Sequence, residues 1–118
     1  MIPHASGGEL VAWLLRKRIR LRVSGASMEP TLSPGDVVFV DRASYTNQRP
    51  ADGDIVVAKH PQQPEIEIIK RVRFTDGSGV YLVSDNTAEI NAADSRRFGM
   101  VPFDLIIGQV TATAPASR

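Results

Sequence analysis

Five short runs rich in β-branched and aromatic residues limit what this chain can become. They are Asp36–Val40, Asp54–Ala58, Glu65–Phe74, Val80–Val83 and Leu105–Thr113. Each has strand length, and such residues fit a pleated, half-buried surface. Turn formers separate them: Ser33-Pro34-Gly35, Arg49-Pro50 with Asp52-Gly53, His60-Pro61, and Asp76-Gly77-Ser78-Gly79. Strands punctuated in this way predict a mainly β fold, a compact, mostly antiparallel barrel or sandwich. Pro34-Gly35-Asp36-Val37-Val38 is echoed by Asp52-Gly53-Asp54-Ile55-Val56. Both read as turn chemistry, with glycine taking an unusual dihedral and aspartate capping backbone amides.

The first 25 residues differ in character. Ser6-Gly7-Gly8-Glu9 has capping-box spacing. It predicts one short helix from about Gly8 to Arg18, with Leu10, Trp13 and Leu14 on one face. Ile19-Arg20-Leu21-Arg22-Val23 then alternates at strand period. The expected organisation is therefore residues 1–25 as tail, helix and lead-in strand, 26–113 as the β domain, and 114–118 as a disordered tail. Residues 1–25 carry a net charge of +4 and the remainder −3. Such a cluster can serve nucleic acid or anionic lipid, or simply complement a helix C-terminus. The longest apolar run, Leu10–Leu15, is six residues, against roughly 20 for a membrane span. No transmembrane anchor is expected, and the charge order does not suggest a secretory signal. With no cysteine and only His4 and His60, a disulfide framework, a thiol nucleophile and a histidine-rich metal site fall away. No metal or other cofactor is expected.

One lysine stands out. Read as a strand, residues 65–74 place Ile66, Ile68, Lys70, Val72 and Phe74 on one face. Lys70 is the exception in an apolar stripe. Either it snorkels at a sheet edge, or burial holds it neutral and makes it a general base. A base needs a nucleophile, and Ser24-Gly25-Ala26-Ser27-Met28-Glu29-Pro30-Thr31-Leu32 offers Ser27. Gly25 permits close backbone approach, and Pro30 stiffens the turn. Neither histidine stands in a triad pattern, so a Ser–Lys dyad fits better.

Ser27-Met28-x-Pro30-Thr31-Leu32 with Gly35-Asp36, then Gly53-Asp54-Ile55-Val56-Val57, Ile69-Lys70-Arg71-Val72, Asp85-Asn86 and Asp94-Ser95-Arg96-x-Phe98-Gly99-x-Val101 resemble the signal peptidase I family. The motifs run in family order from residue 24 to about 110. The resemblance implies a serine endopeptidase with Ser27 as nucleophile and Lys70 as general base. Gly25, Met28 and the Ser27 amide are implied on the oxyanion and substrate side. Pro30, Asp85, Asn86, Asp94, Ser95 and Arg96 are implied as structural support, with Asp94 and Arg96 as an ion pair.

Within the family, the missing anchor resembles the small soluble branch that matures nickel-type superoxide dismutase. That branch implies a cytoplasmic enzyme removing an N-terminal propeptide, with the nickel belonging to the substrate. The partner expected is a polypeptide precursor, not nucleic acid, with peripheral membrane contact left open. Two other readings stand: a peptidase cleaving signal peptides at the membrane surface, and a non-catalytic binding module on the same fold. Two departures bear on that last reading. Ser84 replaces the glycine of the family's Gly-Asp-Asn, and Ala92 stands where a lysine-orienting serine is common. Ser84 is a candidate replacement for that hydroxyl.

Overall fold

The computed structural model describes residues 18–89 and 92–116. Six strands form one antiparallel sheet: β1 (Arg18–Arg22), β2 (Val37–Asp41), β3 (Ile55–Lys59), β4 (Glu67–Asp76), β5 (Gly79–Val83) and β6 (Ile106–Ala114). Their spatial order is β1-β2-β6-β3-β4-β5. A four-residue helix, α1 (Ser95–Phe98), and a 3₁₀ turn at Phe103–Leu105 complete the described elements. All five predicted strands are present, each with at least one bound shifted by one or two residues. Arg18, where the predicted helix ended, opens β1 instead; the rest of that helix lies outside the described residues.

The barrel alternative is not realised. β1 and β5 are the two edges, so the sheet is open, and it is covered on both faces. On one face Val56, Ala58, Ile68, Val72, Val80, Leu82 and Val101 form a core beneath Phe98 and Phe103. On the other, Val38, Val40 and Val57 pack against Met28 and Leu32 from the loop between β1 and β2. Burial on both faces explains why the centre of β3, Val56-Val57-Ala58, is continuously apolar rather than alternating.

The two Gly-Asp turns do as their chemistry predicts. Gly35 and Gly53 both have φ of +92°. Asp36 Oδ2 accepts from the Ser33 amide at 2.9 Å, and Asp54 Oδ2 from the Ala51 amide at 3.0 Å. The tail is less loose than expected: Ala114 pairs with Val37, and the Ala116 amide donates to Asp36 Oδ1.

One face assignment needs correction. β4 pairs with β5 as Val72↔Leu82, but the next pair is Phe74↔Tyr81. Arg73 is therefore the extra residue of a bulge, which reverses the alternation beyond it. Phe74 leaves the core face, is 40% exposed, and stacks on Tyr81 with ring centroids 4.9 Å apart. Ile66, 43% exposed, lies in the loop before β4. Between these points Ile68, Lys70 and Val72 keep the buried face.

Candidate active site

The β1–β2 loop begins where the strand pairing ends. The Val23 amide donates to the Asp36 carbonyl at 2.7 Å and the Gly35 amide to the Val23 carbonyl at 2.8 Å, closing the loop at its base. Inside it Gly25 has φ of +80°, a value that favours glycine. The Glu29 amide bonds to the Ala26 carbonyl at 3.2 Å and the Leu32 amide to the Met28 carbonyl at 2.9 Å. Met28 and Leu32 point inward as fully buried anchors. Ser27 is left partly exposed, two residues after Gly25 and next to the buried Met28.

Lys70 comes from the middle of β4, opposite Val56 on β3. It is only 4% exposed, and its Nζ donates to Ser27 Oγ at 2.8 Å. This settles the geometric alternative: the side chain is buried and does not snorkel. Burial pushes the Lys70 amine below the ordinary lysine value. The Asp94 and Glu89 charges pull it back up in part, and Arg96 adds to the lowering.

A second layer of bonds holds the loop. Asn86 donates its amide to the Ser27 carbonyl and its Nδ2 to the Ala26 carbonyl, both at 2.9 Å. Asp85 accepts from Thr31 Oγ1 at 2.6 Å and from Arg71 through Nε at 2.8 Å and Nη2 at 2.7 Å. Arg71 also donates to the Gly53 carbonyl at 2.7 Å. The Arg71 hydrogen bond leads the causes that hold the Asp85 carboxyl below the usual range; burial opposes it and Thr31 assists. Arg71 and Thr31 lie within the quoted motifs but had been given no role. Nothing in local spacing says that Asp85 is their common partner.

Asp94 is fully buried and caps α1. Its carboxylate accepts from the Ser84 amide and the Arg96 amide, both at 3.0 Å, and from the Arg96 guanidinium at 2.7 Å. Burial alone would raise its pKa, but the Arg96 bond and the backbone bonds, with help from the Ser84 hydroxyl, outweigh that and hold it low. Ser95 Oγ accepts from the Leu82 amide at 2.8 Å, tying α1 to β5. Ala92 is buried. His60 takes no part: its Nδ1 accepts from the Gln62 and Gln63 amides in the turn before β4. Pro30 follows Glu29 through a cis peptide bond. Among the described residues no cluster of His, Cys, Asp and Glu could hold a metal ion.

Ser27 and Lys70 open into a cleft of about 300 Å³, walled by Leu21, Val23, Met28 and Ile68. The β4–β5 pairing ends at Arg71↔Val83, so residues 67–70 have no strand beside them on that side among the described residues. A cleft with mixed apolar and polar walls, a free strand edge, a serine and a buried amine is the site class of a hydrolase acting on extended chains.

Comparison with known proteins gives the same class. The family described as signal peptidase, peptidase S26, matches residues 10–91, and the chain belongs to that family. It is 37% identical to the mitochondrial ATP-independent inner membrane protease subunit 1b of Arabidopsis thaliana, over 73% of this chain and 63% of the relative. It is 36% identical to mitochondrial inner membrane protease subunit 1 of Homo sapiens, over 74% and 63%. Signal peptidase I of Aquifex aeolicus (strain VF5) is 41% identical over a shorter stretch, 49% of this chain and 23% of the relative. The chain thus spans less than two thirds of the first two relatives. These names overturn the expected cytoplasmic placement: both relatives are named as proteases of the mitochondrial inner membrane. Among the described residues no helix is long and apolar enough to cross a membrane.

Proposed function

We propose that this chain is a serine endopeptidase in which Ser27 is the nucleophile and Lys70 the general base. It would remove an N-terminal extension from a precursor polypeptide. The observation that carries this reading is the 2.8 Å contact between Ser27 Oγ and a lysine 4% exposed. A neutral Lys70 takes the serine proton as Oγ attacks the scissile carbonyl. The resulting ammonium passes that proton to the leaving amine as the peptide C–N bond breaks, leaving an acyl group on Ser27. Lys70 then deprotonates the water that releases the acyl group. The Ser27 amide, in a loop opened by Gly25, is the candidate oxyanion donor.

The substrate lies extended along the free edge of β4, where backbone pairing supplies register and the cleft selects side chains. A small residue before the scissile bond suits a cleft of about 300 Å³ with Met28 and Ile68 in its walls, in keeping with the Ala-x-Ala pattern of cleaved leaders. The narrower assignment, a nickel superoxide dismutase precursor, rests on sequence resemblance alone, and the names of the relatives given above do not support it. A fluorogenic peptide carrying an Ala-x-Ala site tests the main reading. Cleavage should be abolished in Ser27→Ala and in Lys70→Met, with both proteins folded. Full activity in either variant would falsify the dyad.

A further inference from the structure

Ser84 is 6% exposed, and its Oγ is a buried side-chain polar atom that makes no full hydrogen bond among the described residues, although it lies close enough to Asp94 to help hold that carboxyl low. An orphaned buried hydroxyl is destabilising unless it has a use. The antiparallel register runs Val72↔Leu82 and Arg71↔Val83. The pairing ends there, and Ser84 is the residue that follows Val83 as Lys70 is the one that precedes Arg71.

A neutral amine has two N–H groups and one lone pair. To act as a base it must turn the lone pair toward Ser27 Oγ, which requires an acceptor for an N–H elsewhere. Asp94 is the charged group with the largest effect on Lys70, yet its oxygens are already occupied. Oδ1 accepts from the Arg96 amide and Nε, and Oδ2 from the Ser84 amide and the Arg96 guanidinium. Glu89 and Arg96 are the other charges felt at Lys70, and Ala92 contributes no polar atom. A Ser84 hydroxyl that turns its hydrogen toward Asp94 keeps its lone pairs free, and Oγ is then the uncommitted acceptor.

We propose that the Ser84 hydroxyl is a positioning residue: it accepts an N–H of Lys70 during turnover and aims the lone pair at Ser27. This rests on the Ser–Lys reading above. The experiment compares the parent with Ser84→Ala, and runs Ser27→Ala alongside, on the fluorogenic Ala-x-Ala peptide. It also follows the lysine ¹³Cε resonances through a pH titration, which needs no substrate and is tractable because the chain has three lysines. Ser84→Ala should lower kcat about 10- to 100-fold with KM unchanged. The Lys70 titration should move to lower pH, because an acceptor that favours the ammonium is gone. The Tm should stay at or above the parent's, since an orphan is removed. A parental kcat, an unmoved Lys70 titration, or a fall in Tm alongside the lost activity each overturns the proposal. Cleavage by Ser27→Ala would sink the dyad, with the titration still deciding Ser84. An inactive Ser27→Ala beside a fully active Ser84→Ala would sink this proposal alone.

Discussion

Replacing Lys70 by methionine should produce a dead protein that is more stable than its parent. The lysine lies between Ile68 and Val72 on β4 and is 4% exposed. Burying a polar group of this kind costs about 1–3 kcal/mol on protein mutational scales. The single bond to Ser27 offsets about 1 kcal/mol of that. Methionine has a similar length and volume, so repacking adds little strain. Ser27 is partly exposed and rehydrates. The expected gain is about 1–2 kcal/mol, with each kcal/mol raising Tm by roughly 4 °C for a chain of this size. Its pH dependence carries the sharper test. In the unfolded chain the lysine keeps its proton to roughly pH 10.4, whereas burial lowers the native value. Between the two values the unfolded state binds more protons, so parent stability rises with pH. Below the lowered value the desolvation penalty is fully present. The advantage of Lys70→Met should therefore be largest below the lowered native value and shrink as pH rises from there toward the ordinary lysine pKa. Urea unfolding of both proteins at stepped pH measures this, and peptide cleavage should fall by about 10²–10⁴. A variant less stable than the parent, with a difference constant across pH, would refute the claim that Lys70 is held as a neutral base.

Three further outcomes are expected. Parent activity should rise with pH through the lowered Lys70 value, and Lys70→Arg should be inactive throughout, because a guanidinium stays protonated; a pH–rate profile of the two checks this. Asp85→Asn should lose about 1–3 kcal/mol through the Arg71 and Thr31 bonds and lower kcat by loosening the Ser27 loop. Because the Asp85 pKa is depressed, its contribution is present above the ordinary carboxylate value and lost as pH falls through the native one; unfolding curves of Asp85→Asn should thus converge on the parent's in acid. Gly79→Ala should be severely destabilising, since φ is +152° and a Cβ would lie 2.1 Å from the Val101 carbonyl oxygen. A parental Tm for that variant would contradict the Val80–Val101 bridge.

Much of the architecture was legible because its causes are local. The Gly-Asp turns carry their own capping chemistry, so Gly35-Asp36 and Gly53-Asp54 could be read before any fold was known. The period-two alternation put Lys70 among apolar neighbours, and over residues 68–72 that parity holds. It failed at Phe74, where the bulge at Arg73 depends on how β5 meets β4. No property of residues 65–74 alone specifies that pairing. Whether the strands close or stay open likewise depends on which edges meet.

The site divides in the same way. Residue chemistry and motif resemblance nominated Ser27 and Lys70, 43 positions apart in the chain. Only the packing of the β1–β2 loop against the sheet sets them 2.8 Å apart. The Thr31–Asp85–Arg71–Gly53 network and the orphaned hydroxyl of Ser84 belong wholly to the tertiary structure. Hydrogen bonds between distant segments leave no periodicity in a sequence, and burial is a property of the assembled fold. Local rules reached as far as turns, strand faces and reactive residue types; which distant groups touch was decided by the packing of two cores on one sheet.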